Sequence, residues 1–133
     1  MANHLGRLHD LSSLLKQHQV HILALTVLDT TDSAILRLVV DDPDRARTLL
    51  SEHGFPFTES RILVIEVADL ESALHRALTA LLEAEINIHY MYSFLVAPAG
   101  RPLLALSIED YDVAAEALRR HQIPVLNQTD LSR

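Results

Sequence analysis

The sequence predicts an α+β fold built from two similar units in tandem. Three observations carry this. The chain repeats itself. Each repeat alternates helix-like and strand-like stretches in the same order. The one change in repeat spacing falls in turn-like segments.

The repeat is visible residue by residue. Leu8/Leu74, His9/His75, Leu15/Leu81 and Ile22/Ile88 are identical pairs 66 residues apart, and Val20 is matched by Ile86. Farther on, Asp42/Asp110, Asp44/Asp112, Ala46/Ala114, Leu50/Leu118 and His53/His121 are identical at a spacing of 68. The two-residue shift lies around "TTDSA" and "APAGRP", where insertions are tolerated.

Each unit reads helix, strand, turn, strand, helix, short strand. Leu8, Leu11, Leu14 and Leu15 share one helical face, and Leu74, Leu78, Leu81 and Leu82 are expected to do the same in the second unit. Strands follow over about 20–28 and 34–40, with a hairpin turn at Thr30–Ser33, and again over 86–96 and 103–108. At "DDPD", Asp42 is a helix cap and Pro43 suits the first helical position, while Gly54 is a stop signal. "RILVIEV", residues 61–67, is a strand leading into the second unit. Strand, helix, strand, strand, helix, strand is a split βαβ unit. The unit boundaries are expected at 1–60 and 61–133.

Tyr90, Tyr92 and Phe94, half of the aromatic residues, crowd into "EINIHYMYSFL". Strict alternation places them on one strand face with Ile86 and Ile88, and Met91 and Leu95 on the other. Two readings stand: core or interface packing, or a ligand wall with a tyrosine hydroxyl at a pocket rim.

Composition excludes several function classes. The chain has 133 residues, 49% of them apolar, enough for a core, and a net charge of −7 that repels phosphate backbones. No nucleic-acid partner is expected. Without cysteine there is no disulfide, thiolate nucleophile or Cys-based zinc site. The start, "MANHLGRLHD", is unlike a signal peptide, and no apolar run approaches the ~20 residues of a membrane span. A soluble cytoplasmic protein is expected. The eight histidines show no HExxH or comparable spacing, so no metal and no cofactor is expected. No serine is paired with a base in a nucleophile pattern, so no catalytic residue is assigned.

Four stretches in order resemble a known family: "NHLGRLHDLSSLL", "TDSAILRLVVDDPDRA", "EINIHYMYSF" and the ending "NQTDL". The chain is similar to tandem ACT-domain proteins, small amino-acid-sensing modules, over almost its whole length. The resemblance implies ferredoxin-like βαββαβ units with both helices on one face of an antiparallel sheet. It also implies ligand pockets where the loop before the first helix meets a neighbouring unit. Carried onto this chain, the pocket residues are Asn3, Leu5, Gly6, Arg7 and Leu8 with His21 in unit one. In unit two they are Asp69, Leu70, Glu71 and Ser72 with Asn87 and Tyr90. Chemically, a glycine before a helix admits close approach, and the helix N-terminus suits a ligand carboxylate. Asp69 and Glu71 would repel that carboxylate but attract an ammonium group.

Two departures from the family pattern stand out. Only Met1–Leu5 precede Gly6, so the opening strand of unit one is missing. Its place is expected to be filled by the C-terminal "IPVLNQTDL" or by a second subunit. In unit two, Glu71 and Ser72 stand where the family has proline and glycine. The function expected is a non-enzymatic, allosteric amino-acid-binding regulator, a homodimer acting through a separate partner and not at a membrane. The alternative is a ligand-free assembly module.

Overall fold

A computed structural model describes residues 4–29, 34–68, 70–96 and 100–127. The expected turn at Thr30–Ser33 and residues 128–133 of the C-terminal ending lie outside these. The elements are α1 (His4–Gln17), β1 (Ile22–Asp29), β2 (Ala34–Val40), α2 (Pro43–Glu52), β3 (Leu63–Glu66), α3 (Leu70–Glu83), β4 (Ile88–Ser93), β5 (Leu103–Ile108), α4 (Tyr111–Arg120) and β6 (Val125–Leu126). The chain divides into two compact units with the break between Thr58 and Glu59.

The second unit is a complete βαββαβ fold. Its antiparallel sheet runs β4-β5-β3-β6, with β3 in the middle. Leu63 and Ile65 of β3 and Leu104 and Leu106 of β5 point to one side. There they pack with Ala73, Ala77, Ala80 and Leu81 of α3 and Ala114, Ala115 and Leu118 of α4. Both helices therefore cover the same sheet face. Val64 and Ala105, on the other face, are buried as well.

The first unit has the same helices and hairpin but a smaller sheet. Among the described residues β2 pairs with β1 alone. Leu11, Leu14 and Leu15 of α1 pack with Ala46 and Leu49 of α2 against Ile22, Leu36, Leu38 and Val40. The short closing strand expected for this unit does not form: residues 53–62 hold no strand. The reason is topological. In unit two the closing strand β6 pairs with the opening strand β3 (Val64↔Leu126, Ile65↔Val125). Without an opening strand, a closing strand has no edge to join. The same pairing corrects the expectation for "IPVLNQTDL": Val125–Leu126 completes the sheet of unit two.

Helix ends follow one rule. Asp42 accepts from the Arg45 amide at 3.2 Å, and Asp110 accepts from the Val113 amide at 3.3 Å, each capping the next helix. Each helix closes with an amide reaching back five residues: Val20 to Leu15 O, Phe55 to Leu50 O, Ile86 to Leu81 O and Ile123 to Leu118 O, at 2.9–3.0 Å. The left-handed position is Gly54 after α2, but Gln19, Glu85 and Gln122 after the others.

Two expectations about faces are corrected. On α3 the buried face is Ala73, Ala77, Ala80 and Leu81, with Leu74 partly buried beside them, while Leu78 and Leu82 are exposed. Small alanines let this helix lie close to the sheet, which turns the two leucines outward. On β4, alternation is interrupted. Ile88 pairs with Ile108, but Tyr90 pairs with Ser107 and Tyr92 with Ala105, leaving His89 as the extra residue of a bulge. Ile88 stays on the helix side, whereas Tyr90 and Tyr92 share the opposite face with Ala105. The same bulge sits in β1 between Ile22 and Ala24, with Leu23 as the extra residue.

Candidate functional site

The expected site residues fall into two groups in each unit. In unit one the first is the start of α1. Helix α1 begins at His4, so Leu5, Gly6 and Arg7 belong to its first turn, with Leu8 directly after, and not to a preceding loop. The amides of such a turn point out of the helix end, and the helix dipole makes that end partially positive. No acidic residue lies in this turn. Arg7 is oriented rather than loose: its guanidinium lies 4.2 Å over the Phe55 ring, just after the stop signal of α2. Leu5 is exposed, and Leu8 and Gly6 are half-buried. Asn3 lies outside the described residues.

The corresponding turn of unit two differs electrostatically. Glu71 occupies the first turn of α3, where its charge offsets the helix dipole. Ser72 is exposed beside it. Leu70 opens the helix, and Asp69 lies outside the described residues. A ligand carboxylate is thus better matched to α1 than to α3.

The second group sits where the hairpin begins. His21 precedes β1, and Asp41 follows β2. The His21 amide donates to Asp41 Oδ1 at 2.8 Å, the His21 ring Nδ1 lies 3.0 Å from Asp41 Oδ2, and the Asp41 amide donates to His21 O at 3.1 Å. Asp41 is the buried charged residue among those described. Unit two has the same arrangement in weaker form. The Glu109 amide donates to Asn87 O at 3.2 Å, and Asn87 Nδ2 donates to Glu109 Oε2 at 3.4 Å in an exposed setting. Tyr90 follows on the open sheet face, half-buried and stacked on Tyr92 with ring centroids 6.0 Å apart.

The structure keeps the two groups of one unit apart. Helix α1 has 14 residues, a length of about 21 Å at 1.5 Å per residue. Its first turn is at one end and His21 follows the other. One small ligand cannot touch both Gly6 and His21 of the same unit. A groove of about 450 Å³ in unit one is lined by His18, Asp42, Asp44, Arg45, Thr48, Leu49 and Glu52. It contains none of the expected ligand residues, and its three carboxylates and open shape do not suit an amino acid.

Sequence reasoning passed over Asp41, Glu109 and Phe55. The repeat carried a signal for two of them, because Asp41 and Glu109 occupy equivalent places before the helix caps Asp42 and Asp110. Among the described residues, no three His, Asp or Glu side chains gather as a metal site, and no helix is long and apolar enough to cross a membrane.

Comparison with known proteins places these features in a family. A search of the curated proteins finds no match. Among solved structures, protein BT0572 from Bacteroides thetaiotaomicron is similar, with a TM-score of 0.84, 25% identity, and coverage of 95% of this chain and 86% of that one. Two others are more distant: GqqA, described as a novel type of quorum quenching acylase (TM-score 0.42, 16% identity, 86% of this chain and 60% of that one), and a putative glycine cleavage system transcriptional repressor (TM-score 0.38, 12% identity, 91% and 87%). Scores that low carry no functional argument. The family model described as an ACT domain pair matches residues 1–133, and the chain therefore belongs to the ACT family as a domain pair along its whole length.

Proposed function

We propose that the chain is a non-enzymatic regulatory module that binds an amino acid, as a homodimer, and passes the signal to a separate partner. The observation that carries this reading is the match to the ACT domain pair over residues 1–133. The chemistry of α1 supports it. Its first turn offers outward amides, no acidic side chain, and an arginine held in place by Phe55. These groups suit the carboxylate of an amino acid. Asn87, exposed at the hairpin start of unit two, offers an amide side chain to a ligand's polar groups. Because the two groups of a unit lie at opposite ends, each gives half of a pocket. A bound ligand would favour whichever arrangement brings complementary halves together, through its different affinities for the two states.

A second reading, a ligand-free assembly module, is favoured by two observations. His21 is tied to Asp41, and α3 carries Glu71 where a carboxylate ligand would approach.

A thermal-shift screen against the twenty amino acids, followed by titration calorimetry, separates the two. The sensor reading expects stereoselective stabilisation by one or a few amino acids, about 2.7 kcal/mol at a hundredfold excess over Kd. Gly6→Val and Asn87→Ala should weaken it. A folded chain indifferent to every amino acid would establish the assembly reading instead.

A further inference from the structure

The two units treat one strand differently. Strands β2 and β5 are equivalent in the repeat, with Ile35, Leu36, Arg37 and Leu38 matching Leu103, Leu104, Ala105 and Leu106. In unit two those four positions pair with β3, antiparallel, from Leu63↔Leu106 to Glu66↔Leu103, and all four are buried. In unit one no described strand lies there. Ile35 is 43% exposed, against 3% for Leu103, and Leu36 and Leu38 are half-exposed where Leu104 and Leu106 are buried. Val39 and Val40, beyond the stretch that β3 would cover, are buried. The exposure in β2 therefore maps onto the footprint of a strand. Next to it on β1, Leu28 opposite Ile35 and Val27 opposite Leu36 are exposed too. An apolar strand edge of this kind is a template for pairing.

We infer that β2 pairs along this edge with β2 of a second copy, in antiparallel register about a two-fold axis. The edge calls for an extended, apolar strand of at least four residues running antiparallel to it. β2 is itself such a strand, and a two-fold axis supplies the antiparallel sense while closing the assembly at two copies. Charge selects the register. Centring the axis on Arg37 would set two guanidinium groups face to face, which is unfavourable for directly opposed residues. Centring it on Leu36 sets Leu36 against the partner's Leu36, Ile35 against the partner's Arg37, and Ala34 against the partner's Leu38. That register covers the exposed half of β2 and joins two hairpins into one four-stranded sheet. The inference rests on the homodimer of the proposed function and names its interface.

The absence of cysteine makes the test direct. Light scattering without any amino acid should give twice the 14.9 kDa of one chain. A single Leu36→Cys substitution should crosslink spontaneously to a covalent dimer under mild oxidation, while Ser12→Cys, exposed on α1, stays uncrosslinked. Ile35→Lys, at a position already exposed in the single chain, should reduce the mass to 14.9 kDa with the circular dichroism unchanged. A wild-type chain that stays at 14.9 kDa up to its solubility limit overturns the inference. So does a dimer that survives Ile35→Lys, or equal crosslinking at positions 36 and 12. Because these experiments contain no ligand, their failure leaves sensing to be decided separately by the amino-acid screen.

Discussion

His21 and Asp41 bind each other from both backbone and side chain, closing the open end of the first hairpin with contacts at 2.8, 3.0 and 3.1 Å. The carboxylate that makes two of them is 5% exposed. Removing it strands the His21 amide without its acceptor, which costs about 1–3 kcal/mol. Asp41→Ala should therefore lower the stability of the chain by that amount in urea denaturation. Glu109→Ala, at the equivalent but exposed 3.4 Å contact, should cost under about 0.5 kcal/mol. Equal losses at the two positions would refute the distinction.

The helix ends offer a stabilising prediction. Gln19, Glu85 and Gln122 hold φ near +60° (60°, 57° and 63°), a region where a side chain is strained. Replacing Gln122 by glycine should raise stability by about 0.5–1 kcal/mol, the strain relief exceeding the added freedom of the unfolded chain. The reverse holds at Gly54. A Cβ there would meet no atom within 4 Å, so Gly54→Ala should cost about 1 kcal/mol from backbone conformation alone. Melting curves of the two single variants should move in opposite directions.

Adjacent leucines on α3 should behave as opposites. Leu81 is 2% exposed among the alanines of α3 and the strands of unit two, and Leu82 is 76% exposed. Leu81→Ala should cost about 2–5 kcal/mol by leaving a cavity. Leu82→Ala should change stability by less than about 0.5 kcal/mol. A large loss at Leu82 would mean that its surface is covered in solution.

Much of the architecture was legible because the chain states it twice. The leucines of α1, the cap at Asp42 with Pro43, and the stop at Gly54 all act as their residue types predict. The face of α3 was not legible. Leucine and alanine both fit an apolar stripe, and only packing distance decides which of them meets the sheet. The phase of β4 was hidden for another reason. The extra residue is His89, and a histidine in a strand does not announce a bulge as a glycine can. One unmarked residue was enough to move Tyr90 and Tyr92 to the other face. In the candidate site, Leu5 to Leu8 are neighbours in sequence and stay together in α1. The bond between His21 and Asp41 spans twenty residues, and only hairpin register makes it. The positioning of Arg7 by Phe55 depends on how α2 ends, which no local pattern around Arg7 reveals.

The paired bulges bear on how the two halves have diverged. Before the extra residue, Ile22 and Ile88 are identical and serve the same core role; past it, Ala24 and Thr26 stand where the other half has Tyr90 and Tyr92. Because the bulge reverses which side those later positions face, replacing them leaves the helix-side packing untouched. A duplicated module with such a hinge in its side-chain phase can acquire a new chemical surface without renegotiating its fold. The tyrosine pair marks where one copy has done so.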